Sequence, residues 1–181
     1  SNLGLEKTSR VRARTIAQAL KELMLKCDKV YIMGHKNTDI DCIGASVGVY
    51  KIARSLNKEA YIVTDTKFSS STKLVVNKLK ELDSYKNAFV TKDDIKKNDY
   101  ASSLLVIVDT HKKSYLAYPD LLESIEKKVV IDHHRRGPEF IDDALLTYHE
   151  IYASSSSELV TEILMYLDNI ELSSVEAEAI Y

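Results

Sequence analysis

The chain has 181 residues, 45% hydrophobic and 29% charged, with a formal charge of −2; this is an ordinary globular composition, long enough for one well-buried domain. The near-neutral balance excludes a generic binder of long nucleic acid, which is usually strongly basic. Only two cysteines, Cys27 and Cys42, occur, and no apolar run nears the ~18 residues of a membrane span, so a disulfide scaffold and direct membrane contact are not expected and a cytoplasmic setting is.

In chain order, Thr8 to about Lys26 reads as an amphipathic helix with Ile16, Leu20, Leu23, Met24 and Cys27 on one face. Val30–Met33 is a short buried strand ending at Gly34. Cys42–Leu56 fits a helix with Ile43, Val47 and Tyr50 inward. Ala60–Val63 is a second strand, Ser69–Thr72 a surface loop, Lys73–Leu82 a helix, and Ala88–Val90 a third strand. Thr91–Asp94 caps a brief helix. Leu104–Val108 is a continuous apolar run, as in a strand covered on both faces, and Val129–Ile131 is another. Leu145–Ile151 fits a further strand. Ser155-Ser156-Ser157-Glu158 caps a helix carrying Leu159, Val160, Ile163, Leu164 and Leu167, and Ser173-Ser174-Val175-Glu176 opens one more that runs to Tyr181. Alternating strands and helices predict an α/β domain over residues 1–181, a mostly parallel sheet with helices on both faces. Ser1-Asn2 in place of an initiator Met, and a last helix without a terminating signal, mark an expected excision from a longer protein.

Three polar clusters follow predicted strands: Gly34-His35-Lys36-Asn37-Thr38-Asp39-Ile40-Asp41, then Val108-Asp109-Thr110-His111, then Asp132-His133-His134. Ligands of open parallel sheets bind beyond the carboxyl ends of the strands, so all three clusters are delivered to one rim. His35 with Asp39 can bind one divalent cation and Asp41 with His133 a second, with Asp109 bridging them at ~3.5–4 Å separation. Mixed imidazole and carboxylate donors favour Mn²⁺, with Co²⁺, Fe²⁺ or Zn²⁺ as substitutes. Each cluster alone has an ordinary alternative, as a loop cap, a strand-end cap or a surface histidine pair. Their joint occurrence at strand ends favours function. Cys42 reads as a packing residue, His111 and His149 as structural or solvated, and Arg10, Arg12 and Arg14 as an exposed helix face. Arg135 and Arg136 can grip a phosphate, with a surface role equally open for Arg136.

Asp132-His133-His134, the upstream His35…Asp39-x-Asp41 and Asp109 together resemble the DHH superfamily of phosphoesterases. Ile131–Gly137, Tyr152-Ala153-Ser154-Ser155…Glu158–Glu162, Ser9–Arg14 and Val108–Lys112 resemble, more specifically, the DHH domain of membrane-anchored cyclic di-AMP phosphodiesterases. The resemblance implies two Mn²⁺: one held by His35, Asp39 and Asp109, the other by Asp41, Asp109 and His133. It also implies His134 on a substrate phosphate and Asp132 orienting the histidines. The implied reaction is hydrolysis of cyclic di-AMP to linear 5′-pApA, by a cytoplasm-facing domain of a membrane-anchored parent, with a homodimer left open. Thr38, Ile40 and Cys42 stand where the family commonly has Pro, Met and Ala; the ligands are kept, so only loop stiffness is expected to change. The family's further metal-binding Asp and its associated domain would lie beyond Tyr181. Three carboxylates then face two dications, so the second ion is expected to bind weakly here. An oligoribonuclease or 3′,5′-bisphosphate phosphatase of the same superfamily is the alternative within enzymes, and a catalytically weak nucleotide-sensing module the alternative outside them.

Overall fold

The β-branched, apolar runs of the sequence assemble side by side. In a computed structural model that describes residues 2–181, β1 (Lys29–Met33), β2 (Glu59–Val63), β3 (Phe89–Val90), β4 (Ser103–Val108), β5 (Lys128–Asp132) and β6 (Leu146–His149) form one sheet. Every pairing is parallel and the order is β3-β2-β1-β4-β5-β6. The α/β class and parallel sheet follow the sequence expectation. Strand order reverses between β1 and β4, so the loops leaving those two strands diverge and open a crevice there.

Side chains along each strand alternate between two cores. Val30, Ile32, Leu104, Val106, Val108, Val129 and Ile131 face the larger one. That core is closed by α1 (Asn2–Leu25), α2 (Ile40–Ser55), α3 (Ser70–Lys80), α5 (Ser156–Met165) and α6 (Ser174–Ile180). Tyr31, Met33, Leu105, Ile107 and Val130 face the smaller core. There α4 (Leu121–Ser124) and short turns cover the sheet through Leu116, Leu121, Leu122, Ile125 and Ile141. Helices thus lie on both faces, with the long ones on one side. Among the described residues no helix is long and apolar enough to cross a membrane.

Boundaries moved where local chemistry outweighed hydrophobic period. Ser69–Thr72, expected as a loop, starts α3 instead: Ser69 is its N-cap and the Ser69 hydroxyl accepts from the Thr72 amide at 3.3 Å. Serine at that position satisfies one of the helix's orphan amides. The 145–151 strand contracts to Leu146–His149, because Ile151 and Tyr152 enter a turn before α5. The brief helix after Thr91 is a 3₁₀ turn, Lys92–Asp94, closed by the reciprocal Thr91/Asp94 capping box.

Two glycines one turn apart on α2 set how closely the site-bearing helices approach. A Cβ on Gly44 would stand 2.5 Å from both the Ala179 carbonyl oxygen and the Ser157 Oγ, and one on Gly48 would stand 2.2 Å from Val160 Cγ1. Only hydrogen fits between these surfaces. Gly44→Ala is therefore expected to lower unfolding stability by about 1–3 kcal/mol through overpacking and to push the start of α5 off α2. Denaturant unfolding checks this; an unchanged midpoint would show that α5 and α6 yield freely.

Candidate metal centre

The crevice between β1 and β4 receives all three polar clusters. After β1, the chain turns through Asn37, whose φ is 56°, and enters α2 at Asp39. Thr38 ties the loop itself: it is buried and its hydroxyl donates to the His35 carbonyl at 3.2 Å. Asp65, beyond β2, accepts from the Asn37 amide at 3.1 Å and props the loop from the other side. Asp39 is the N-cap of α2, its Oδ1 accepting from the Cys42 amide at 2.9 Å. Cys42 packs against Gly34 so closely that a Cβ there would stand 1.9 Å from the sulfur. That is the packing role expected of it, and burial pushes its thiol well above its ordinary pKa.

Asp109 sits at the centre. It follows β4 in a left-handed conformation, φ 63°, an uncommon state that aspartate tolerates better than most residues. Its Oδ2 lies 3.0 Å from His35 Nε2, and His35 Nε2 lies 3.6 Å from Asp39 Oδ1. Its Oδ1 lies 3.6 Å from His133 Nε2, which is 3.8 Å from Asp41 Oδ2. One carboxylate thus addresses two separate His–Asp pairs, one with each oxygen. His35 Nδ1 donates to the Lys36 carbonyl at 2.9 Å, which commits that nitrogen and aims Nε2 at the carboxylates. Donor atoms about 2.0–2.2 Å from a common ion stand roughly 3.0–3.5 Å apart. The observed 3.0 Å between Asp109 and His35 falls in that range and the other three, at 3.6–3.8 Å, lie slightly beyond it, so small side-chain shifts would bring the donors of each pair to a common cation.

Charge crowding is visible in the acidities. Burial, reinforced by Asp41 and Asp39 and only partly opposed by His35, holds Asp109 up at about 6. The hydrogen bond to Asp109, then the nearby Asp39 carboxylate, raises His35 to about 10. The same contact with His35 lowers Asp39 to about 2. Asp41 ends below its ordinary value although burial raises it, because the Ser157 donors, the contact with Asp109 and the Ser156 amide together outweigh that cost.

Those serines are the functional residues that sequence reasoning missed. The Ser155–Glu158 cap is present, with Ser155 Oγ accepting from the Glu158 amide at 3.1 Å. The amides of Ser156 and Ser157, at 3.1 and 3.0 Å, also clasp the two oxygens of Asp41. Ser156 Oγ donates to Asp109 Oδ1 at 2.9 Å. The first turn of α5 therefore orients both carboxylates. The serine run announced a helix start, but nothing in the sequence named the acids it would meet.

The third cluster forms an adjoining chain. Asp132, fully buried, accepts from His111 Nδ1 at 2.6 Å and from His134 Nδ1 at 2.7 Å. The Gly137 amide donates to His111 Nε2 at 3.1 Å. An amide can only donate, so Nε2 carries the lone pair and the proton sits on Nδ1. His111, read from sequence as structural or solvated, is thus a buried structural clamp, and His134, held by Nδ1, lines the same cavity as His35 and Asp109. His149 hydrogen-bonds the His134 carbonyl through Nε2. Arg135 lines a cavity of about 380 Å³ together with His35, Asp39, Asp109 and His134. Arg136 instead lays its guanidinium over Phe140, 3.9 Å from the ring centroid. The exposed Arg12 of the N-terminal set pairs with Glu150 at 2.6 Å.

With this geometry in hand, comparison with known proteins is decisive on kinship. Residues 29–181 match the family model described as "DHH family, N-terminal domain". The chain belongs to the DHH family. It is 45% identical over 178 residues to the cyclic-di-AMP phosphodiesterase GdpP of Bacillus subtilis, covering 97% of this chain. It is 43% identical over 178 residues to the cyclic-di-AMP phosphodiesterase PdeA of Listeria monocytogenes, again covering 97% of this chain. The chain spans only 27% of the length of either relative. Among solved structures, an exopolyphosphatase-related protein from Bacteroides fragilis superposes with a TM-score of 0.73 at 21% identity. The match covers 92% of this chain and 48% of that one and speaks for the fold alone.

Two outcomes follow from the DHH site. At pH 7 the raised His35 holds a proton that an arriving cation must expel, whereas Asp109 is already ionised; below about pH 6 Asp109 holds a second. Titration with Mn²⁺ in buffers of different ionisation heat should therefore show about one proton released per first ion at pH 7, more at pH 5, with affinity rising with pH. No release at pH 7 would contradict the His35 assignment. Ser156→Ala, which removes the hydroxyl from Asp109 but keeps the α5 amides, should weaken Mn²⁺ binding about tenfold, readable in the same titration.

Proposed function

We propose that this DHH domain is the metal-bearing part of a phosphodiesterase that hydrolyses cyclic di-AMP to linear 5′-pApA. The observation that carries the reading is Asp109, whose two oxygens are turned to two separate His–Asp pairs. Similarity to two cyclic-di-AMP phosphodiesterases over nearly the whole chain supports the substrate. In this reading His35, Asp39 and Asp109 would hold one Mn²⁺, and Asp41, Asp109 and His133 would hold the second. When bound, such a pair supplies Lewis acidity and an activated water for attack at phosphorus.

The chain's own residues do the rest. The α5 amides and Ser156 keep Asp41 and Asp109 aimed, so the ligands need not reorganise on binding. Asp132, itself gripped by His111, holds His134 by Nδ1 and points its Nε2 at the phosphate of a bound diester. Arg135 offers a guanidinium to the non-bridging oxygens on the same cavity wall. Water adds to one phosphorus as its bond to the ribose 3′ oxygen breaks. That oxygen takes up a proton, and the opened product keeps a 5′ phosphate.

The full-length protein that carries this chain should convert cyclic di-AMP to 5′-pApA in the presence of Mn²⁺, followed by chromatography. Chelation should abolish the conversion and Mn²⁺ restore it. Asp109→Asn should lower it by more than about 100-fold, beyond the loss usual for a residue that only supports a ligand. Cleavage of linear oligonucleotides or a 3′,5′-bisphosphate with cyclic di-AMP untouched would move the protein to its superfamily's other hydrolases. Inactivity on all three would leave a nucleotide-sensing module.

A further inference from the structure

Tyr115 is an exposed aromatic that the metal centre does not use. Half of it (51%) is open to solvent, yet its backbone is pinned to the loop that carries His35. The Lys36 amide donates to the Tyr115 carbonyl at 2.7 Å, Leu116 bridges His35 in antiparallel fashion, and the Ala117 amide donates to the Gly34 carbonyl at 3.0 Å. The Tyr115 amide in turn donates to the Lys112 carbonyl at 3.0 Å. An aromatic ring on a backbone held this tightly is a preorganised surface, because little chain entropy is left to lose when something lands on it. The ring has no aromatic partner among the described residues; only the Lys112 ammonium lies over it, 4.3 Å from the centroid. Lys112 is also 3.9 Å from Glu139, at the outer limit of an ion pair. Both residues line the cavity that holds His35, Asp109 and His134.

We infer that Tyr115 is the stacking platform for a purine base next to the reacting phosphate, with Lys112 supplying a cation at the same wall. The inference rests on the nucleotide phosphodiesterase reading above and adds a base-selective surface within this domain. A nucleotide diester brings its base within a few ångströms of the phosphorus, and every base has a face that a tyrosine ring can match. A solvated ring on a fixed backbone at the wall of this cavity selects for such a base over a bare sugar phosphate. As the base settles, the Lys112 ammonium swings from the ring to the phosphate oxygens, exchanging a cation–π contact for a charge-assisted hydrogen bond.

Binding, not turnover, tests this, so the result does not depend on which ester is hydrolysed. AMP and ribose 5-phosphate would be titrated calorimetrically into the Mn²⁺-loaded full-length protein, its Tyr115→Ala variant and its Tyr115→Phe variant. The two probes share the phosphate and sugar and differ by the base. The expected result is a preference for AMP of at least about tenfold in the parent protein, kept by Tyr115→Phe and lost by Tyr115→Ala. Ribose 5-phosphate should bind all three alike, which also reports that the fold is intact. A preference that survives Tyr115→Ala, or is absent from the parent, overturns the inference. Equal loss of both probes in Tyr115→Ala also overturns it, since the ring would then serve the loop and not the base. Retained AMP preference without cyclic di-AMP hydrolysis would leave the platform standing and remove only the substrate reading.

Discussion

A single buried carboxylate governs this structure. Asp109 leaves the central strand β4 in a left-handed turn, almost fully enclosed, with two other aspartates nearby. Burying a charge is costly unless it is paired and hydrogen-bonded. The chain offsets part of that cost with His35 from the β1 loop and the Ser156 hydroxyl from α5, and His133 from the β5 loop stands 3.6 Å away. Each partner arrives on a different element, so the carboxylate is satisfied only when β1, β4, β5 and α5 are all in place. Burial, with Asp41 and Asp39 close by, keeps the Asp109 pKa raised to about 6 despite these partners. What remains is an electrostatic deficit that positive ions would fill.

The packing of small residues makes that arrangement possible. Gly34 admits the Cys42 sulfur beneath the His35 loop, and Gly44 and Gly48 let α5 and α6 lie against α2. Close approach brings the first turn of α5 onto Asp41, where its amides neutralise part of a charge that burial would otherwise raise toward protonation. Core packing and site chemistry are therefore the same contacts seen from two sides. A methyl group added at Gly44 would strike Ser157 itself, a residue that holds Asp41.

Around this centre the groups sort by how freely they can move. Asp109, Asp132 and His111 are buried and held from several directions. His134, Arg135 and Lys112 stand toward solvent on the cavity wall. Preorganised groups suit the binding of ions, whose geometry is exacting, and the exposed Arg135 and half-buried Lys112 suit a phosphate that must enter and leave. Arg136 falls outside both sets, spent on the face of Phe140.

Much of this was legible without coordinates, and for a physical reason. Leu104–Val108 and Val129–Ile131 are strands buried on both faces, which leaves a continuous apolar record. The polar residues directly after such runs, His35 to Asp41, Asp109 and Asp132 to His134, must then emerge at one rim of a parallel sheet. Local chemistry thus determined the fold class and which residues could share a site. Three things awaited the tertiary structure: which oxygen of Asp109 faces which histidine, that α5 clasps Asp41, and that His111 is locked with its proton on Nδ1. The same holds for Ser69, whose capping role depends on where α3 begins, and for Tyr115, whose backbone is tied to Lys36 some 80 residues away in sequence. A hydrogen bond between distant segments leaves no periodic trace in either one; it exists only once packing has chosen their separation to within a few tenths of an ångström.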